Sequence, residues 1–220
     1  MSAVSDDFHY EIMGEQFDLM PERSLFWDRK ETLLVADTHW GKTGGFLWFG
    51  RKSAQGNIAE DLSRLSQALD RKRARHLLVI GDLLNTGAVR DQLLIDELEK
   101  WRSCHRELEI TVVRGENDQG ALNPLKRCDF VFVDGPILIP PFFIKHNATR
   151  GETAYTISGH LHPAVELVEE GGHRVRRRCF WFGKRIGVLP AFGSDEVRLF
   201  KPDPGDDVFI VDEEKVLRLD

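Results

Sequence analysis

Short apolar runs and longer amphipathic ones take turns through the first half of the chain. Thr32–Ala36, His76–Ile80, Ile110–Val113, Phe130–Val133, Phe142–Lys145 and Tyr155–Ser158 are rich in Val, Ile, Leu and Phe. Polar or glycine-containing turns bound most of them, the pattern of buried strands. Between them, Ile58, Leu62, Leu65 and Leu69 recur three or four residues apart, which predicts a helix over Ile58–Asp70. Leu94, Leu98 and Trp101 predict a second over Val89–Trp101. A β-α-β-α-β order favours a parallel sheet covered on both faces. The second half changes character, with short strands expected at Ala164–Val168, Arg174–Phe182, Val197–Phe200 and Val208–Val211. Such a run adds mixed or antiparallel strands, and the fold class expected is α/β, with two mixed β-sheets sandwiched between helices (αββα). No repeat of 20–50 residues and no low-complexity linker breaks the chain, so residues 1–220 read as a single domain.

Composition narrows the class. With 41% hydrophobic and 30% charged residues the chain is neither disordered nor membrane-spanning. Its most apolar segment, Pro136 to Ile144, is about half the length needed to cross a bilayer. The formal charge of −6 argues against a protein that coats DNA without specificity, but a local basic patch would suffice for an enzyme acting on nucleic acid. The N-terminus has no basic stretch followed by an apolar one, so no secretory signal is expected. Cys104, Cys128 and Cys179 are scattered and form no C-x-x-C pair, which speaks against a disulfide framework or a cysteine zinc site. A cytoplasmic location is the expectation.

The chemistry gathers just after the apolar runs. The first ends in Asp37-Thr38-His39, the second in Gly81-Asp82-Leu83-Leu84-Asn85 and the third in Arg114-Gly115-Glu116-Asn117-Asp118. Phe142–Lys145 leads into His146, and Tyr155–Ser158 into Gly159-His160-Leu161-His162. Ligands of α/β sheets bind beyond the carboxyl ends of the strands, so these five ends point to one composite site. Each piece alone is weak; a lone His is more often structural, and Gly-Asp after a strand is often only a turn. The ordered set is far more specific. Imidazole and carboxylate without thiolate suit Mn, Fe, Zn or Ni, and the donors outnumber the needs of one ion. Two divalent ions sharing a carboxylate would fit, an arrangement that holds a phosphate and activates water for in-line attack.

That ordered set resembles the calcineurin-like metallophosphoesterase superfamily, whose pattern runs D-x-H, G-D, G-N-H-[DE], a lone His and G-H-x-H. A narrower resemblance covers nearly the whole chain. Thr32–Thr43, Ser158–Val165, Arg178-Cys179-Phe180 and Leu189-Pro190-Ala191-Phe192-Gly193 are similar to bacterial DNA ligase-associated metallophosphoesterases, regarded as DNA-repair nucleases. The resemblance implies a calcineurin-like fold and a metal-dependent hydrolase, with a DNA ligase and a DEXH helicase as partners. It further implies that Asp37, His39 and His162 hold one metal, that Asp82 bridges and takes part in catalysis, and that His146 and His160 hold the second with help from the Gly115 loop. The metals expected are two divalent ions, Mn2+ foremost, with Zn2+, Fe2+ or Ni2+ as alternatives.

The chain departs from the family pattern at that loop. Aligned without a gap, Glu116 takes the place of the Asn ligand and Asn117 that of the catalytic His; a shift by one residue leaves Asn117 as the ligand. Neither alignment puts a His at the leaving group. Asn117 can hydrogen-bond a phosphate oxygen but cannot act as a general acid, a role worth roughly 10²–10⁴-fold, so reduced activity or a preference for easy leaving groups follows. Asp118 and His105 are other acids in the neighbourhood by sequence, and Asn85 stands where related chains often carry His.

Three further features stand out. Gly41 to Asn57 holds five glycines with Phe46, Trp48 and Phe49, either a functional loop or an aromatic-pinned surface loop. Arg71-Lys72-Arg73-Ala74-Arg75 suits a solvated helix C-terminus. Alternation puts Arg174, Arg176 and Arg178 on one strand face ahead of Phe180, Trp181 and Phe182, which fits either a nucleic-acid surface or a charge-protected edge strand. Lys42 and Arg114, beside the metal motifs, are candidate substrate-binding residues. Besides a nuclease, the residues admit a small-molecule phosphatase or cyclic-nucleotide phosphodiesterase, or a catalytically weak metal-binding scaffold for repair partners.

Overall fold

A computed structural model describes residues 6–41, 58–85, 88, 91–118, 125–147, 153–169, 171–193 and 196–219. Lys42 and the loop that follows it to Asn57 lie outside the described residues, as do residues 89 and 90 at the expected start of the second helix.

The first sheet has seven strands in sequential order: β1 (Phe8–Ile12), β2 (Glu15–Met20), β3 (Ser24–Trp27), β4 (Thr32–Ala36), β5 (His76–Ile80), β6 (Glu109–Val113) and β7 (Val131–Val133). β1 to β4 pair antiparallel, and β4 to β7 pair parallel. The parallel half follows from the two crossover helices, α1 (Ile58–Lys72) and α2 (Gln92–Cys104). Asp91 caps α2, its carboxylate accepting from the Leu94 amide at 3.3 Å.

The second sheet orders β14 (Arg198–Leu199), β11 (Pro163–Val168), β12 (Arg174–Gly183), β13 (Ile186–Val188), β10 (Tyr155–Ser158), β9 (Phe142–Ile144) and β8 (Ile137–Ile139), with β15 (Asp207–Val211) on β12 and β16 (Val216–Leu219) on β15. It is mixed: β9, β10 and β13 run parallel, and most of the rest antiparallel.

Period-two alternation in the central strands divides the core. Leu33, Val35, Leu77, Val79, Ile110 and Val112 face α1 and α2, packing with Leu62, Leu65, Leu69, Leu94, Leu98 and Trp101. Leu34, Ala36, Leu78, Ile80 and Val113 face the second sheet. There they meet an aromatic layer in which Phe142 packs edge-on to Phe17 at 5.5 Å and Trp27 at 5.2 Å. The outer side of the second sheet carries a smaller cluster around Val165, Cys179, Val208 and Ile210. Two mixed sheets thus pack face to face, and both helices among the described residues cover the first sheet. No described helix is long and apolar enough to cross a membrane.

One expectation about charge needs correction. The Arg71 cluster is not simply solvated. Arg71 donates to Asp7 at 2.6 Å and Glu22 at 2.9 Å, and Lys72 sits 2.8 Å from Asp7 and 2.5 Å from Asp18, tying the end of α1 to the N-terminal strands. Three carboxylates from a neighbouring segment supply the counter-charge that the helix sequence alone does not show. The Arg174–Arg178 half of the arginine strand pairs with β11 alone among the described residues, as a charge-bearing edge would, and only the Cys179–Gly183 half is flanked by β13 and β15. β12 pairs with β11, β13 and β15; Phe180 and Phe182 are buried between the sheets, and Arg174 and Arg177 bond Glu166 and Glu169 at 2.6 and 2.9 Å. Phe180 and Phe182 therefore belong to the core, while Trp181 is half-buried against the outer cluster.

Candidate metal centre

Every strand-end motif arrives at one place because the loops after β4 and β5 are bonded to each other. The Asp37 amide donates to the Gly81 carbonyl at 3.3 Å, His39 to Asp82 at 2.9 Å and Trp40 to Leu83 at 3.0 Å, while the Thr38 hydroxyl donates to Leu83 at 2.8 Å. Asn85 donates its side-chain amide to the His39 carbonyl at 3.3 Å, so it braces the loop. From the second sheet, the Gly159 amide donates to the His146 carbonyl at 3.2 Å, and the His160 amide to Asp37 Oδ2 at 2.7 Å. The Leu189–Gly193 stretch buttresses this layer from behind. The Phe192 amide donates to Ala36 at 2.8 Å, and Arg23 and Arg64 both donate to the Phe192 carbonyl.

The backbone is strained where the donors sit. Asp37, His39, Asp82, His160 and His162 all have positive φ, between 45° and 68°, and make up half of the ten such non-glycine residues among those described. Residues other than glycine rarely adopt this region, and such strain concentrates at functional sites. Glycines supply the closeness. A Cβ on Gly115 would stand 2.2 Å from Asp82 Oδ1, and one on Gly159 would stand 2.5 Å from Asp37 Oδ2.

Two donor groups result. Asp37, His39 and His162 form one, and Asp37, Asp82 and His146 the other, each with ligand atoms within 4.8 Å of one another. Asp37 is common to both. Asp82 also reaches both sides, with Oδ2 3.9 Å from His39 Nε2 and 3.8 Å from His146 Nε2. His39 Nε2 and His162 Nε2 are 3.2 Å apart, and His146 Nε2 lies 2.9 Å from Asp37 Oδ1. The His160 ring stands edge-on to His146 with centroids 4.9 Å apart. Burial opposes a charged Asp37, but the hydrogen bonds and charges of His146 and His162 outweigh it and hold the carboxyl down at about 2. Burial likewise opposes a charged His146, yet the Asp37 hydrogen bond and the Asp37, Asp82 and Asp118 charges raise its proton affinity.

These donors fit divalent ions. Nδ1 of His146 and of His162 is buried with no hydrogen-bond partner among the described residues, a costly state for a ring nitrogen. Buried carboxylates and imidazoles packed this tightly need a shared positive charge, and the all-oxygen-and-nitrogen donor set matches hard or borderline metals.

The altered loop points one residue inward. The Asn117 amide side chain donates to Asp82 Oδ2 at 2.6 Å, and its backbone amide to Oδ1 at 3.0 Å. Glu116 is exposed and accepts instead from Asn147 at 3.0 Å. Arg114 lies at the rim, its Nη1 3.4 Å from Asp134. Asp118 is fully buried and clamps two loops, accepting from the Leu83 amide at 2.9 Å and the Gly115 amide at 2.8 Å. Burial raises its carboxyl pKa above the ordinary value. This clamping role was hidden in the sequence, because its partners are backbone amides and one of them, Leu83, is 35 residues away. His105 is not at the site; it stacks on Trp101 and bonds the Trp101 carbonyl at the end of α2.

No family model matches the chain, and no curated protein matches it. Among solved structures, the crystal structure of the nuclease MPE of Pseudomonas putida superposes with a TM-score of 0.84 at 27% identity, covering 97% of this chain and all of that one. YfcE, a phosphoesterase from E. coli, matches at 14% identity and a TM-score of 0.41 over 82% of this chain and 87% of its own, too remote to carry weight. In the order of its strand-end motifs the chain resembles the metallophosphoesterases, and it shares its fold end to end with the Pseudomonas nuclease.

Proposed function

We propose that residues 1–220 form one domain that hydrolyses phosphodiesters with two divalent ions, Mn2+ foremost, and that its substrate is nucleic acid. The observation that carries this reading is the convergence of Asp37, His39, Asp82, His146, His160 and His162 from four strand ends, five of these six on strained backbone. Asp37, His39 and His162 would hold one ion, His146, His160 and Asn117 the other, with Asp82 between them. Bound there, the ions would supply Lewis acidity toward the phosphate and lower the pKa of an attacking water.

The chain's own groups do the rest. Asn117 holds the Asp82 carboxylate in a fixed orientation through both its amides. Arg114 offers positive charge to the substrate at the rim. The Gly115–Asp118 loop has no imidazole to protonate a departing alkoxide, so diesters with good leaving groups are expected to react fastest. The Pseudomonas nuclease supports a nucleic-acid substrate, and the resemblance in sequence supports a cytoplasmic role in DNA repair beside a DNA ligase and a DEXH helicase.

The test is hydrolysis of bis(p-nitrophenyl) phosphate with and without added Mn2+. Turnover should require the metal, and Asp82→Asn or His39→Ala should lose bound metal and activity together. Activity that survives either substitution would contradict the site. The Asn117–Asp82 bond favours one second reading, a weakly catalytic metal-binding scaffold. In that case the protein should bind Mn2+ yet turn over no phosphoester.

A further inference from the structure

Glu116 lines a cleft of about 360 Å³ beside the donor group, together with Arg114, Gly115, His146 and Asn147 among others. Its carboxylate accepts from the Asn147 side-chain amide at 3.0 Å. That bond joins the loop after β6, in the first sheet, to the loop after β9, in the second. Each partner is one residue from a proposed ligand, since Glu116 precedes Asn117 and Asn147 follows His146. Gly115 lies so close to the centre that a Cβ there would stand 2.2 Å from Asp82 Oδ1 and 2.8 Å from His146 Nδ1. The short 3-10 turn over Glu116–Asp118 sends the Asn117 side chain to Asp82 and leaves Glu116 exposed in the cleft.

The neutrality of that partner decides what the carboxylate can do. An amide orients a carboxylate without cancelling its charge. Glu116 makes no ion pair with any described residue, and Arg114 beside it pairs with Asp134 at 3.4 Å. A fixed negative charge therefore faces a phosphate that enters the cleft toward the ligands. A diester carries a single negative charge, whereas a monoester carries about −1.5 to −2 at neutral pH. Coulomb repulsion scales with that charge, so the carboxylate opposes a monoester up to about twice as strongly as a diester. We propose that Glu116 is a specificity-determining residue that discriminates against phosphomonoesters by charge. This rests on the phosphoesterase reading and assigns its selectivity to one side chain.

The experiment uses the full chain with Mn2+ at about pH 8, above the second phosphate ionisation, and two pairs of probes. p-Nitrophenyl phosphate and its methyl ester share a leaving group and differ by one charge. Phenylphosphonate and its methyl ester differ in the same way but lack a good leaving group, so isothermal titration reads their binding alone. The wild type is compared with Glu116→Gln, which keeps an acceptor for Asn147 and loses only the charge, and with Glu116→Ala, which loses both. Glu116→Gln should raise kcat/KM for the monoester relative to the diester by about three- to tenfold, chiefly through KM. Phenylphosphonate should tighten relative to its ester by a similar factor, and Glu116→Ala should show the same shifts. Both gains should shrink in high salt, because the side chain is exposed. Ratios unchanged in Glu116→Gln would overturn the proposal. A shift confined to Glu116→Ala would overturn it too, leaving Glu116 as a tie between loops. A wild type with no Mn2+-dependent turnover of either ester, or of bis(p-nitrophenyl) phosphate, would overturn the phosphoesterase reading itself.

Discussion

Single residues in this centre are placed by backbone as much as by side chain. Asp37 is held by the His160 amide as well as by imidazoles, and Asp82 by both amides of Asn117. Gly115→Ala would drive a methyl into Asp82 Oδ1, so it should weaken Mn2+ affinity and lower kcat while the protein still folds; isothermal titration and circular dichroism separate the two. Asp118 divides its oxygens, with Oδ1 serving Leu83 and Oδ2 serving Gly115. An Asn there can accept on one side only, which leaves a buried amide N–H facing a donor. Asp118→Asn should therefore cost about 1–3 kcal/mol in chemical denaturation and should loosen metal binding as well. The donor types and their order were legible in the sequence. The choice between Glu116 and Asn117 was not, because it depends on a short 3-10 turn over Glu116–Asp118 that aims one side chain at Asp82 and its neighbour at Asn147.

At the scale of elements, strong periodicity was enough. Thr32–Ala36, His76–Ile80 and Tyr155–Ser158 are strands at the expected bounds, and α1 runs two residues beyond its expected end. The N-terminal strands β1 to β3 were not read, since charged residues interrupt the apolar positions of β1 and β2 and β3 is only four residues long. Their signal was the Met13-Gly14 pair, both at positive φ, a two-residue turn between alternating segments. Those strands matter to α1. Arg71 joins it to Asp7 and Glu22, whose side chains are 9% and 8% exposed, so Arg71→Ala should destabilise the fold by about 1–3 kcal/mol. The loss should persist in moderate salt, because these carboxylates are largely shielded from solvent. A melting temperature unchanged from the wild type would show that the N-terminal strands dock without this tie.

For the molecule as a whole, the aromatic layer between the sheets holds the two halves of the centre in register. Asp37, His39, Asp82 and Asn117 come from the first sheet, and His146, His160 and His162 from the second. Phe142 is fully buried at that interface, four residues before His146. Phe142→Ala should cost about 3–5 kcal/mol of stability by opening a cavity there. It should also weaken metal binding in the fraction that stays folded. Composition alone could not show this, nor that the −6 formal charge includes two buried carboxylates, Asp37 and Asp82, at the centre. The most direct measurement is an anomalous difference map from a crystal grown with Mn2+. The account predicts two peaks, one among Asp37, His39 and His162 and one among His146, His160 and Asn117, with Asp82 between them. A map with no peak at these side chains, or with manganese bound only elsewhere on the surface, would contradict it.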